Sequence, residues 1–157
     1  MTENPEGAKS STHDLFFEQA SAKLKLQWEW GNDLDTKAGL LIGFAGVILA
    51  TAAGSETAGS YLHLVVVVAL FAVIIFGLMA YRLTTYEIPP DIGKLWEKYY
   101  GHEESEVKGI LTANLVEATA KNRVRLEEKV NWSKRSFFML FIGVAIFAVE
   151  QVVAVLK

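Results

Sequence analysis

The sequence predicts an all-α membrane protein, with three transmembrane helices whose extensions form a small helical bundle in the cytoplasm. The chain of 157 residues is 52% hydrophobic although 21% of its residues are charged, so its apolar residues must be concentrated in a few segments. They fall in three runs close to the length that a bilayer's hydrocarbon core requires, roughly 20 residues of helix. The predicted spans are residues 38–54, 61–81 and 136–156.

The alternative for each run is a buried helix or strand of a soluble protein. The second run, YLHLVVVVALFAVIIFGLMAY, contains no charged residue and is too long for a single strand. The third run is interrupted only by Glu150 and Gln151. The first run begins at residue 38, behind a segment that is acidic as well as basic, and therefore lacks the form of a signal peptide.

The basic residues predict the orientation of the spans. Of the fifteen Lys and Arg residues, four precede the first span, ten lie between Arg82 and Arg135, and one is Lys157. The link between the first two spans, residues 54–60, has none. Because basic loops stay in the cytoplasm, the sequence predicts a multi-pass protein of the inner (plasma) membrane, with its N-terminus in the cytoplasm and its C-terminus outside.

The segment before the first span is predicted to be helical. Residues 1–10 are polar and predict a disordered tail, and residues 11–157 form a single membrane-embedded domain. A capping box at Ser11 and Asp14 begins a cytoplasmic helix over residues 11–37, which continues into the first span because no proline intervenes. One face of this helix carries the apolar residues Phe17, Ala20, Leu24 and Trp28. Trp28 and Trp30 also lie where an interfacial aromatic belt is expected.

The cytoplasmic segment 91–135 is also predicted to be helical. Pro89 and Pro90 end the helix of the second span, a short helix follows over residues 94–100, and a long helix begins at about Glu104. The spacing of three and four residues predicts an apolar face on this long helix. That face consists of Ile110, Ala113, Val116, Ala120 and Val124, after which the stripe drifts to Leu126 and Val130.

Charged residues stand at the start of the first span. On a helix Asp33 and Lys37 are four residues apart and can pair, whereas Asp35 lies on another face. An acid at the membrane boundary needs a basic partner, and the stretch KNRVRLEEKVNWSKRS approaches the same membrane face. The candidate partners of Asp35 are Arg125, Lys129 and Lys134. The alternative is that Asp35 and Lys37 reach into the lipid headgroups.

Two features inside the spans are candidates for helix packing and gating. Gly39, Gly43 and Gly46 form a stripe of small residues that lets another helix approach closely, either within the chain or in a second subunit of a homo-oligomer. Glu150 lies inside the third span, where an ionisable side chain usually faces protein or water. It is expected to pair with His63, to line a polar path between subunits, or to reach the outer headgroups.

The sequence shows no pattern that predicts catalysis. It has no cysteine and none of the H-E-x-x-H, G-x-S-x-G or Walker patterns. His13, His63 and His102 are scattered, so neither a metal site nor a cofactor is expected. The net charge of -3 argues against nucleic acid as a partner. We therefore expect a protein that is not an enzyme and whose main partner is the lipid bilayer.

The run DTKAGLLIGFAGVILA, residues 35–50, resembles the D-x-K-A start of the first membrane helix in the Pycsar effector transmembrane family, PycTM. The order of elements is similar, and the stretch from residue 114 to 144 resembles the family's lysine-bearing approach to its last span. Asp35, Lys37 and Ala38 match the first motif, and Lys129 matches the later basic position. The helix-plus-two-spans layout also resembles the SLATT effectors.

This resemblance implies a role in antiphage defence, in which a membrane effector responds to a cyclic pyrimidine nucleotide from a partner cyclase by impairing the membrane. The chain has no recognisable cyclic-nucleotide domain or phosphate-binding glycine loop, so the cytoplasmic bundle itself would have to bind the nucleotide. The aromatic residues that could stack on a base, or that alternatively serve as core residues, are Trp96, Tyr99, Tyr100 and Trp132. The alternative function is a constitutive membrane scaffold that recruits a cytoplasmic partner, and a transporter is a third.

Overall fold

The structure, a computed structural model, describes residues 5–54, 60–82, 86 and 92–156, without the side chains of 5–11, 13, 92, 93, 95 and 96. Each element in these ranges is an α-helix. The helices are α1 (Pro5–Ala53), α2 (Tyr61–Arg82), α3 (Ile92–Tyr99) and α4 (Glu104–Val155). Within the described ranges, α1, α2 and α4 are long and apolar enough to cross a membrane. The predicted all-α class and the three apolar helices are therefore confirmed.

The first helix starts earlier than predicted. α1 begins at Pro5, so the prediction of a disordered tail over residues 1–10 is wrong from residue 5 onward, and residues 1–4 lie outside the described part of the chain. Proline suits the first turn of a helix because its fixed φ is helical and its missing N–H would have no intrahelical partner there. Ser11 lies inside α1, so the predicted capping box does not start the helix. α1 then continues without a break through the first predicted span.

A glycine ends the short helix of the second connection. The predicted helix over residues 94–100 corresponds to α3, and α4 begins at Glu104 as predicted. Gly101 has a φ of 91°, the left-handed conformation that commonly follows the last turn of a helix and that glycine adopts without strain. Glu106 joins Glu104 in the first turn of α4, where the helix dipole favours acidic side chains.

The chain divides into two compact units, and unit 1 comprises Met1–Trp30 and Thr85–Leu126. Its apolar cluster contains Ala20, Leu24 and Leu115, with Phe17 and Ala118 packed against them. A buried hydrogen bond joins α1 to α4 in this unit, because Gln27 Nε2 donates to the backbone oxygen of Thr119 at 3.1 Å. Unit 1 is therefore held by a small apolar cluster together with a buried polar contact.

The buried faces of unit 1 differ from the predicted ones. On α4 the residues Ala113, Val116, Ala120 and Val124 are exposed. The buried residues of α4 in this unit are Leu115, Thr119, Asn122 and Leu126. On α1, Gln27 is buried whereas Trp28 is exposed. On α1 the predicted face is confirmed for Phe17, Ala20 and Leu24, which lie in the apolar cluster, and is wrong for Trp28. On α4 the prediction is confirmed for Leu126 and wrong for the four exposed residues. Polar side chains with hydrogen-bond partners occupy inward positions there, so apolar character alone does not mark the buried side.

Unit 2 comprises Gly31–Thr84 and Glu127–Lys157. Its core cluster contains Ala45, Val66, Leu70 and Val73. A buried hydrogen bond joins α2 to α4, because Ser136 Oγ donates to the backbone oxygen of Val73 at 2.9 Å. In lipid such a bond satisfies a hydroxyl group that would otherwise have no partner.

Buried positions in unit 2 recur every seven residues along each long helix. On α1 they are Gly31, Ala38, Ala45 and Ala52. On α2 they are Val66, Val73 and Ala80. On α4 they are Lys129, Ser136, Gly143 and Glu150. A seven-residue repeat is typical of helices that pack with a left-handed supercoil. The repeat positions of α1 and α4 are therefore occupied by small or polar residues, and larger apolar residues such as Leu41 and Phe147 pack beside them against the core cluster.

Candidate functional site

The first candidate site is an ion pair between α1 and α4 within unit 2. Lys129 Nζ lies 2.6 Å from Asp35 Oδ1. The Lys129 side chain is fully buried, while the Asp35 side chain is 18% exposed. The two groups meet as a charge pair rather than through a well-directed hydrogen bond. Among the three partners that the sequence offered for Asp35, the structure therefore places Lys129 against it.

The position of Lys129 in the seven-residue repeat explains its burial. The repeat aims its side chain inward, at the point where α1 presents Asp35. An ammonium group in an apolar environment is strongly unfavourable unless an anion compensates its charge. The carboxylate of Asp35 supplies this compensation. Separation of the pair would leave a buried charge, so the contact favours one register of α1 against α4.

The residues around Asp35 take different roles from those predicted. Asp33 and Lys37 are both exposed, and no ion pair joins them in the described part of the chain, so their predicted pairing is wrong. Because Lys37 points away from the protein, it fits the alternative of a residue that reaches the headgroups. Ala38 is fully buried and belongs to the small-residue packing face of α1. The motif at Asp35 thus combines one ion-pair residue, one exposed base and one packing residue.

The predicted glycine stripe does not pack within the chain. A Cβ atom added at Gly39, Gly43 or Gly46 would meet no atom within 4 Å. The close helix contacts of unit 2 instead involve Gly77, where a Cβ would lie 2.7 Å from Ile42 Cγ1, and Gly143, where it would lie 3.2 Å from Leu70 Cδ2. Packing within one chain, the first of the two predicted roles of the stripe, is therefore wrong.

Glu150 lies in a polar cluster with residues at the start of α2. Its Oε1 atom accepts a hydrogen bond from Ser60 Oγ at 3.0 Å and lies 3.5 Å from His63 Nδ1. The Glu150 side chain is only 3% exposed. The predicted proximity of Glu150 to His63 is confirmed. The alternative in which Glu150 reaches the outer headgroups is wrong, because burial against α2 holds its carboxylate inside unit 2.

Ser60 is a residue of this polar cluster that the sequence reasoning missed. Its Oγ atom accepts a hydrogen bond from the backbone N–H of His63 at 3.0 Å, which is the geometry of an N-cap residue three positions before an N3 residue. The sequence does contain a signal for this N-cap, because a serine directly precedes the second apolar run. The other missed residues, Gln27, Asn122 and Ser136, carry no such local signal.

The aromatic candidates for nucleotide stacking have different surroundings. In unit 2, the Trp132 ring packs on Phe76 with 5.6 Å between centroids and lies beneath the Arg135 guanidinium at 4.7 Å. Trp132 is half-buried, which fits the alternative of a core or interface aromatic residue. In unit 1, Tyr100 is exposed, and the Tyr99 ring has the Lys98 ammonium 5.2 Å from its centroid. The Trp96 side chain lies outside the described residues.

A second ion-pair group joins α1 to the start of α4 in unit 1. Lys108 Nζ lies 2.6 Å from Asp14 Oδ1 and 2.6 Å from Glu104 Oε1. Hydrogen bonds to these two carboxylates raise the pKa of Lys108 above its usual value. The group therefore stays charged throughout the physiological range. These ion pairs hold the start of α4 against α1.

Within the described residues, no group of three His, Asp or Glu side chains could hold a metal ion. Comparison of the chain with protein-family models, with curated proteins and with solved structures finds no match. The fold and the site therefore define a helical protein with three helices able to cross a membrane. Unit 2 of this protein contains the ion pair of Asp35 with buried Lys129, and a polar cluster in which exposed Ser60 and partly buried His63 contact buried Glu150.

Proposed function

We propose that the chain is a membrane effector of antiphage defence, which responds to a cyclic pyrimidine nucleotide by impairing the membrane. The observation that carries this proposal is the contact between Asp35 and Lys129. These residues lie far apart in the sequence, and each separately matches a position of the PycTM pattern. Their contact in unit 2 gives the two matches a common physical role, which is a buried charge pair that fixes α1 against α4.

The exposed side chains of unit 2 support insertion into a membrane. The repeat positions of α1 and α4 face inward and are small or polar, the apolar core comes mainly from α2, and many large apolar residues point outward. These outward residues include Leu40, Phe44, Val68, Phe71, Ile75, Phe137 and Phe141. Along α4, Lys129 and Glu150 are separated by 21 residues, which corresponds to about 32 Å of helix. This length agrees with the roughly 30 Å hydrocarbon core of a bilayer, so the two polar groups would lie near its two boundaries.

The proposed orientation places the N-terminus and the α3 region in the cytoplasm of an inner (plasma) membrane protein, and the C-terminus outside. The excess of Lys and Arg between Arg82 and Arg135 supports it. Trp28 and Trp30 are both exposed, as residues of an interfacial aromatic belt would be. Unit 1 also carries the density of charged residues that requires an aqueous environment.

The nucleotide response is proposed to begin in unit 1. On α3, Lys94 and Lys98 are exposed, as is Tyr100 immediately after the helix. Ammonium groups suit phosphate, and tyrosine rings suit base stacking. Because α1 and α4 each contribute residues to both units, a ligand that prefers another arrangement of these helices would shift the equilibrium away from the state in which Asp35 pairs with Lys129.

The experiment is co-expression with a pyrimidine nucleotide cyclase, followed by a membrane-potential dye. We expect rapid depolarisation with the wild-type chain, and an altered response with Asp35→Asn. A matched control is Lys121→Gln, which removes an exposed ion pair with Glu117 and should respond like the wild type. Intact membrane potential in cells that make both the nucleotide and the wild-type chain would refute the proposal.

The glycine stripe is proposed as a contact between subunits of a homo-oligomer. Gly39, Gly43 and Gly46 lie on a face of α1 that meets no other part of the chain within 4 Å of an added Cβ. Without side chains in the way, a second helix can approach the backbone closely in lipid. Such assembly would let several copies act together on the membrane.

A scaffold that recruits a cytoplasmic partner is the second candidate function. It is favoured by exposed apolar side chains in unit 1, where lipid does not explain them. These residues are Leu15, Leu26, Val116 and Val124. Both functions predict a membrane protein, but a scaffold would leave growth and dye entry unchanged when the cyclase is active. The co-expression experiment therefore distinguishes the two functions.

A further inference from the structure

We infer that Ser60, His63 and Glu150 form a proton-binding site, which couples the stability of unit 2 to the pH at that end of the membrane. The site joins the start of α2 to the last turns of α4. A carboxylate and an imidazole lie 3.5 Å apart there, and the carboxylate is 3% exposed. A buried pair of this kind has a net charge of zero only when it holds one proton.

The hydrogen bonds of the site link Glu150 to the start of α2. Ser60 caps α2 by accepting the His63 N–H and donates its own hydroxyl proton to Glu150 Oε1. The carboxylate also lies at the N-terminus of α2, where the helix dipole stabilises an anion. The bound proton is then placed on the imidazole of His63. Within the described ranges, the Oε2 atom of Glu150 and the Nδ1 atom of His63 have no hydrogen-bond partner, so the charge of the imidazolium would be the main remaining compensation for the carboxylate.

Loss of that proton changes the energetics of the site. A neutral imidazole would leave the carboxylate with one hydroxyl donor in an apolar environment, which is unfavourable. Among the residues that the structure describes, His63 is the ionisable side chain that lies against the Glu150 carboxylate. In the described part of α1 beyond Lys37 there is no ionisable residue, the neighbouring Tyr61 of α2 is exposed, and the adjacent Gln151 of α4 is an amide. Deprotonation should therefore weaken the attachment of α4 to α2.

The side of the membrane that this site faces rests on the proposed function and its orientation. In that orientation the site faces the outside of the cell, so its protonation would follow the external pH. Histidine is the side chain that ordinarily changes charge between about pH 5 and pH 8. Acid outside the membrane would strengthen the contact between α2 and α4, and alkaline conditions would loosen it.

The test is the thermal unfolding of the purified full chain in detergent between about pH 5.5 and pH 8.5. We expect the wild-type midpoint to be higher at the acidic end by about 2–4 °C, and His63→Gln to abolish this difference. The matched control is His102→Gln, which removes an exposed histidine beside Glu106 and should keep the difference. An unchanged pH dependence in His63→Gln would overturn the inference.

A second measurement covers the case in which a variant unfolds. In a chain with both His13→Gln and His102→Gln, His63 is the single histidine, and its titration can be followed by NMR of labelled imidazole. Adding Glu150→Gln should move the midpoint of this titration, whereas adding Glu106→Gln should leave it in place. A midpoint that is insensitive to Glu150→Gln would also overturn the inference. Both measurements use isolated protein, so their failure would not bear on the defence function, and failure of the co-expression experiment would not bear on them.

Discussion

Lys129 and Asp35 are buried to different degrees, and this asymmetry determines what each contributes. Lys129 has no contact with solvent, while Asp35 remains 18% exposed. A charge left alone at the Lys129 position would have no access to water, whereas the Asp35 carboxylate would retain some. The contact therefore stabilises the fold mainly by compensating the lysine, and the two single substitutions should not be equivalent.

We predict that Asp35→Asn lowers the free energy of unfolding by about 3–5 kcal/mol, the usual penalty for removing one member of a buried pair. Lys129→Met should cost less, because the remaining Asp35 carboxylate reaches water and the methionine packs well. The double variant should be more stable than Asp35→Asn alone. Denaturant unfolding in detergent micelles measures all three. A smaller loss for Asp35→Asn than for Lys129→Met would contradict the asymmetry.

Among whole helices, the main feature is that each long helix has one face for packing and another that faces outward. On α1 the packing face of unit 2 is built from Gly31, Ala38, Ala45 and Ala52, and the glycine stripe lies elsewhere. On α2 a glycine does contribute to close packing, because Ile42 of α1 fills the space beside Gly77. Glycines in similar apolar runs therefore have different roles.

This difference predicts opposite results for two glycine substitutions. Gly77→Ala should destabilise the chain by about 1–3 kcal/mol, the usual range for overpacking, because the new methyl group would lie 2.7 Å from Ile42 Cγ1. Gly43→Ala is the matched control, since its methyl group would meet nothing within 4 Å, and alanine favours helix by up to about 1 kcal/mol. Unfolding in detergent provides the comparison. A destabilising Gly43→Ala in monomeric protein would show that the stripe packs within the chain.

The same pair of variants separates stability from assembly. If the stripe joins subunits, Gly43→Ala should reduce cross-linked oligomers in the membrane without lowering the stability of the monomer. Gly77→Ala should lower stability, and its oligomer fraction should follow the amount of folded protein. Equal oligomer fractions for Gly43→Ala and the wild type would remove the stripe from the proposed interface.

At the scale of the whole molecule, the main feature is that unit 2 differs from a soluble protein in which side chains it exposes and which it buries. Unit 2 exposes large apolar residues such as Phe44, Phe71 and Phe141, and buries Lys129 and Glu150. Exposure of so much apolar surface to water would be strongly unfavourable. In the proposed membrane arrangement, lipid around unit 2 would remove this penalty, and the charged surface of unit 1 would remain in water.

Single-cysteine labelling tests the predicted orientation. The chain has no native cysteine, so each introduced cysteine is its single reactive thiol. Tyr100→Cys should react with a membrane-impermeant maleimide only after the cells are opened, because the proposed orientation places the region around α3 in the cytoplasm. Leu156→Cys should react in intact cells. Labelling of Tyr100→Cys in intact cells would reverse the orientation, and extraction of the chain without detergent would refute membrane insertion.

Much of the fold followed from local patterns along the chain. The start of α4 at Glu104, the glycine break at Gly101 and the continuity of α1 could be predicted because helix length, proline and glycine act on neighbouring residues. Asp35 could be identified as needing a partner by the same local reasoning. The proximity of Glu150 to His63 could also be predicted, because the fixed rise per residue of a helix places the two residues at a comparable depth in their spans.

The buried face of α4 in unit 1 could not be predicted from such local patterns. Ala113, Val116, Ala120 and Val124 form a regular apolar stripe and yet are exposed, while Thr119 and Asn122 are buried. Composition and charge along the chain establish which segments are helical, which are apolar enough for lipid, and where an acid needs a base. The choice of Lys129 for Asp35, and of Gly77 rather than Gly43 for close packing, depends on the rotation of one helix against another. Local sequence carries little information about that rotation, because it is set by the combined fit of side chains from helices distant in the chain.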